Sequence, residues 1–183
     1  MRAAMRARCL AVDAETARQA AEAADVHLAG SDAYADARRI VLYAPLAGEL
    51  PVGPLVERTR QDGLPRLWPR QRPDGALDLV PCDGPGDLVP GPHGVREPGA
   101  ERPPSALRPG DLVLVPGVAF DPWGGRLGRG GGAWDRTLAR APEAVAVGIG
   151  YEFQVVDEVP REAHDRSLAA LLTECGFRRS QPR

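Results

Sequence analysis

The chain has 183 residues, 43% apolar and 26% charged, the proportions of one folded domain rather than of a disordered segment. A net charge of −2 leaves no basic footprint for general nucleic-acid binding, and all 23 basic residues are arginine. The absence of lysine excludes a Walker A phosphate loop and any Schiff-base or pyridoxal chemistry.

Residues 2–29 are alanine-rich with interspersed Arg and Glu, which predicts two helices, about 2–11 and 14–29, the second capped by Asp13 and stopped at Gly30. The run Arg39-Ile40-Val41-Leu42-Tyr43 predicts a buried strand ended by Pro45. A helix is expected over 51–63, with Pro54 early and Gly63 closing it. Two strands, 64–69 and 76–80, are expected to be joined at the turn Pro73-Asp74-Gly75. Residues 83–110, rich in Pro and Gly and without an apolar period, read as a long surface connection.

Residues 111–115 form the clearest strand. Four successive apolar residues without alternation predict burial on both faces, as in the centre of a parallel sheet. The glycine-rich stretch 124–132 leads into a helix over 133–141, a further buried strand spans 144–149, and 168–172 reads as a strand or a short helix. Strands alternating with helices give a single domain over 1–183, a three-layer α/β/α fold with a mostly parallel central sheet.

Cys9, Cys82 and Cys175 are odd in number and far apart, so neither a disulfide framework nor a zinc site is expected. Arginines interrupt the first thirty residues, and no apolar run approaches the length of a membrane span. The expectation is a cytoplasmic protein, not membrane-bound, acting as a monomer or small homo-oligomer.

Chemistry is concentrated between Pro116 and Arg136, where a buried strand passes through a long loop into a glycine run that opens a helix. Successive backbone N–H groups in such a loop can hold an anion, and Arg126 and Arg129 flank it with forked donors suited to phosphate oxygens. Asp135, just inside the helix, is placed to reach a magnesium ion carried by those phosphates. The bland alternative is a solvated glycine loop, with Asp135 only stabilising a helix start. Trp123 either stacks on a flat ring or packs the loop. His27, His93 and His164 have no carboxylate or serine at catalytic spacing and read as surface residues.

The same stretch resembles the signature of the 5-formyltetrahydrofolate cyclo-ligase family. There a strand ending Pro-Gly-x-x-Phe-Asp leads through Gly-x-Arg-Leu-Gly-x-Gly-x-Gly-Tyr-Tyr-Asp. Pro116, Gly117, Phe120, Asp121, Gly124, Arg126, Leu127, Gly128, Gly130, Gly132 and Asp135 fit this pattern without a gap. Weaker similarities cover Ile40 to Tyr43 with Glu49, Trp68-Pro69-Arg70, Arg96-Glu97-Pro98, and Gly148 to Tyr151 with Gln154, Pro160, Glu162, Asp165, Thr173 and Glu174. Arg2 and Arg6 keep the spacing of the family's Lys-x-x-x-Arg, on one helical face.

The resemblance implies ATP- and Mg²⁺-dependent cyclisation of 5-formyltetrahydrofolate to 5,10-methenyltetrahydrofolate, with ADP and phosphate released. The formyl oxygen is phosphorylated by ATP, N10 closes the ring, and phosphate leaves. Positioning and charge neutralisation suffice for this, without a covalent nucleophile. Carried over residue by residue, Arg126 and Arg129 are the catalytic arginines and Asp135 the metal ligand. Arg2, Arg6 and the run Arg126, Leu127, Gly128, Arg129, Gly130, Gly131, Gly132, Ala133 and Trp134 bind nucleotide; Ala44, Glu49 and Trp123 bind folate. Two departures stand out: Ala133 replaces the first of two tyrosines, and Ala169 stands where a second metal-site aspartate is implied. A folate- or nucleotide-binding relative with weak or no turnover is therefore the alternative, and a sugar-phosphate or acyl-transfer enzyme on a related fold ranks last.

Overall fold

A computed structural model describes residues 1–162 and 165–182. The strands β1 (Arg39–Val41), β2 (Arg66–Gln71), β3 (Leu77–Pro81), β6 (Asp111–Pro116), β9 (Val145–Ile149), β10 (Ala170–Thr173) and β11 (Gly176–Arg179) form one sheet in the order β11-β10-β9-β6-β1-β2-β3. The five central strands are parallel, and antiparallel β3 and β11 close the two edges.

Side-chain alternation divides each central strand between two cores. Ile40, Leu42, Leu112, Leu114, Val147 and Ile149 face Ala20, Ala24 and Leu28 of α2 (Ala14–Ala29) and Leu55 of α4 (Gly53–Gln61). On the other face Val41, Val113, Val115 and Leu171 meet Leu138 of α5 (Ala133–Leu138), together with Phe120 and Leu168. The residues from Asp111 to Val115 are all buried, as the unbroken apolar run predicts. Asp111, at the amino end of β6, is held by two donors of one Arg39 guanidinium, Nε at 2.8 Å and Nη2 at 2.5 Å. The three layers follow from covering both faces of a parallel sheet.

Asp13 caps α2 through the Thr16 N–H, and the first helix, α1, spans Arg2–Leu10. The helix expected over 51–63 is shorter, and the 168–172 segment resolves as a strand. The 83–110 connection is more structured than composition implied. It contains the antiparallel pair β4 (Leu88–Pro90) and β5 (Arg96–Pro98), three-residue strands too short to show a period. Also unforeseen are α3 (Asp32–Ala35), edge strand β11, and the small hairpin of β7 (Ala119–Phe120) with β8 (Arg126–Leu127) inside the glycine-rich region. Among the described residues no helix is long and apolar enough to cross a membrane.

Candidate active site

Sheet order locates the site. From β1 the chain moves outward to β2 on one side, then returns to place β6 on β1's other flank, so connections diverge between β1 and β6. Open α/β sheets bind ligands in the crevice beyond the carboxyl ends of the strands at such a divergence. A cleft lies there, lined by Gly48 and Glu49 after β1, Gly117 and Val118 after β6, Gln154 after β9, and Arg6, Cys9 and Arg129.

Two elements wall the cleft. Helix α1 packs Met5 and Cys9 against Val118, Ala119, Leu127 and Val159, which brings Arg6 to the opening. The turn after β1 approaches α1 closely at Gly48. Its φ is +83°, and a Cβ there would stand 3.2 Å from the backbone of Cys9. At the base, Gln154 is buried; its amide donates to the Gly117 and Val118 carbonyls at 2.8 and 3.0 Å and its oxygen accepts the Tyr151 N–H. This single side chain ties the ends of β6 and β9 together, a role with no local sequence signal.

The β7–β8 hairpin carries the glycine loop. Asp121, fully buried, accepts the N–H groups of Trp123, Gly125 and Val159, so its carboxylate is consumed in shaping the turn. The Leu127 side chain is buried with Met5 and Cys9, so it packs the loop onto α1 rather than facing a ligand. Arg2 Nε donates to the Gly128 carbonyl at 3.0 Å, a second tie between α1 and the loop. The backbone φ at Gly130 is +104°, and the Cβ positions of Gly130 and Gly131 meet nothing within 4 Å, so this side of the loop is open to a ligand.

Both loop arginines have carboxylate partners. Arg126, whose side chain is 6% exposed, donates to Asp135 Oδ2 at 2.6 Å, while its buried Nε has no hydrogen-bond partner. The other Asp135 oxygen accepts the Arg166 N–H at 3.3 Å. Arg129 Nε reaches across the cleft to Glu49 Oε1 at 3.1 Å, and Glu49 Oε2 accepts the Leu46 N–H at 2.9 Å. Burial pushes the Glu49 carboxyl above its ordinary value, against the lowering effects of Leu46 and Arg129. Burial likewise raises the Cys9 thiol, which disfavours a nucleophilic thiolate.

The remaining sequence candidates are placed less centrally. Ala44 is half-buried just beyond β1 and packs on the core. Ala133 opens α5, and Trp134 packs against the apolar clusters on both sheet faces. Trp123 is half-buried in the hairpin turn and does not line the cleft. His27 is half-buried beside the Glu174 carbonyl at 3.2 Å rather than solvated. His164 and the side chain of His93 lie outside the described residues.

Ala169 corrects a sequence expectation. It precedes β10, its N–H bonds the Ala146 carbonyl, and it lines a cavity with Asp111 and Val145 at the amino ends of the strands. A carboxylate there would face away from Asp135's end of the sheet. Among the described residues no three His, Cys, Asp or Glu side chains cluster to hold a metal. A carboxylate such as Asp135 suits Mg²⁺ where phosphates and water supply further oxygens.

The family model described as the 5-formyltetrahydrofolate cyclo-ligase family matches residues 1–174. A 5-formyltetrahydrofolate cyclo-ligase of Mycolicibacterium smegmatis is 34% identical over 142 residues, covering 74% of this chain and 73% of its own. One from Escherichia coli is 33% identical, covering 75% and 78%. The solution structure of 5,10-methenyltetrahydrofolate synthetase from Aquifex aeolicus superposes with a TM-score of 0.79 at 30% identity, covering all of this chain and 94% of the other. A synthetase from Mycoplasma pneumoniae shares the fold with a TM-score of 0.76 at 19% identity, covering 94% of this chain and 96% of its own.

Proposed function

This chain belongs to the 5-formyltetrahydrofolate cyclo-ligase family, and from that premise we propose how its cleft carries out the reaction. The enzyme converts 5-formyltetrahydrofolate to 5,10-methenyltetrahydrofolate. In our reading the co-substrate is ATP, whose phosphates lie along the glycine loop, and the folate enters on the Glu49 side. The observation that carries this division is the meeting of Arg129 from the loop with Glu49 from the opposite wall.

The formyl oxygen attacks the γ-phosphorus of ATP, and ADP leaves. N10 then adds to the activated carbon and loses its proton to water, and phosphate departs with the electron pair of the C–O bond as the methenyl bridge forms. Negative charge moves between phosphate oxygens throughout, so the protein's task is to hold and neutralise it. Arg126 and Arg129 supply forked donors, with Arg2 and Arg6 contributing positive charge from α1. The open face of Gly130 and Gly131 supports close backbone approach to the phosphates. Glu49 accepts N–H groups from the pterin ring, with Ala44 flanking it and Trp123 on the outer hairpin.

Asp135 is the residue assigned to hold Mg²⁺. When bound with the nucleotide, the ion contributes charge neutralisation at the phosphates. Arg126 must share or release Asp135 for this. We also assign the protein to the cytoplasm, with small-molecule substrates and neither nucleic acid nor membrane as partner, as a monomer or small homo-oligomer. The free thiols of Cys9, Cys82 and Cys175 support a reducing compartment.

The test is to mix purified protein with 5-formyltetrahydrofolate, ATP and Mg²⁺ and follow methenyl absorbance. Absorbance that needs all three components is the expected result. Thermal stabilisation by the ligands with no absorbance would instead indicate a binding protein without turnover.

A further inference from the structure

We propose that the Glu49–Arg129 ion pair couples the two ligand sites, so that reduced folate and nucleotide each tighten the other's binding. The inference rests on the assignment of these two ligands to the cleft and deepens it. Glu49 is the only carboxylate among the described residues lining the cleft, and Arg6 and Arg129 are its two cations. Glu49 engages one of those cations, Arg129, at 3.1 Å.

The two partners differ in their surroundings. The Glu49 side chain is 14% exposed and is held by the Leu46 N–H, so it is fixed and largely out of water. Arg129 is 40% exposed and has Gly128 and Gly130 as neighbours, so its guanidinium can turn without displacing the sheet. Polyphosphate drawing Arg129 away leaves a poorly solvated carboxylate without its counterion, an unfavourable state. A folate ring donates N–H groups to that carboxylate and removes the penalty. In reverse, folate occupying Glu49 frees Arg129 for phosphate. Linkage requires the two effects to be equal in size.

The experiment is calorimetric titration of the non-hydrolysable analogue β,γ-imido-ATP, with Mg²⁺, in the absence and presence of saturating 5-formyltetrahydrofolate. For the wild-type protein the folate should tighten nucleotide binding roughly three- to tenfold, within the usual range of coupling between sites. Glu49→Gln should bind the analogue more tightly than wild type without folate, and folate should add little. In an Arg129→Gln background, the same change at Glu49 should leave nucleotide affinity unaltered.

Equal nucleotide affinity with and without folate in the wild type would overturn the proposal, whether or not the variants fold. So would a gain from Glu49→Gln that persists in the Arg129→Gln background, since that is a general charge effect. A wild-type protein that binds neither ligand would overturn the ligand assignment and this inference with it. Binding of both, with turnover but no coupling, would overturn the inference alone.

Discussion

Arg126 and Asp135 meet at 2.6 Å with side chains only 6% and 12% exposed, so each is the other's main compensation for leaving water. Removing one partner of a buried pair costs about 3–5 kcal/mol because it strands the other charge. Arg126→Ala should therefore lower the melting temperature as well as raise the ATP requirement. Arg126→Ala combined with Asp135→Asn should recover much of the stability but not the ATP affinity. Thermal melts and ATP titrations on the two variants check this; equal melting temperatures would refute the mutual compensation.

The glycine loop allows backbone strain and ligand access to be separated. Gly130 has φ +104°, whereas Gly131 is not in the left-handed region, and neither has an atom within 4 Å of its Cβ position. Gly130→Ala should lose about 1 kcal/mol or more from strain. Gly131→Ala should melt close to wild type. If the loop lies against phosphates, both should raise the KM for ATP; an unchanged KM in Gly131→Ala would put the ligand elsewhere.

Ala169→Asp provides a negative control for the metal assignment. Because residue 169 is exposed at the amino ends of the strands, the new carboxylate should neither bury a charge nor reach the nucleotide. The Mg²⁺ concentration for half-maximal rate should not change, and melting should shift little. A lower Mg²⁺ requirement would show that this position does serve the site.

The Glu49 carboxyl sets a pH dependence of stability. Burial raises it above its ordinary 4.5, so the folded chain binds this proton more tightly than the unfolded chain. Its contribution to stability is complete below 4.5 and is lost as pH rises through the folded value. Glu49→Gln does not titrate there, so its stability relative to wild type should increase across that interval. Melting curves from about pH 4 to about pH 8 measure the difference; parallel curves would contradict the burial effect.

Much of the framework was legible from residue order. The buried strand at 111–115, the helix capped by Asp13 and the glycine-rich turn after Phe120 have local causes: apolar runs, a capping side chain and residues free to adopt unusual backbone angles. The composition also limited the chemistry, since a chain with arginine and no lysine handles anions through planar forked donors. The sites that carry the predictions depend on more. Glu49 and Arg129 are 80 residues apart, and Gln154 reaches carbonyls 36 and 37 residues away. Ala169 was expected near Asp135, yet the direction of β10 puts it towards the opposite end of the sheet. Such relationships follow from strand order and from which strand ends share an edge. Local periodicity reports which face of an element is apolar but carries no information about its neighbours, so these pairings were decided only when the chain folded.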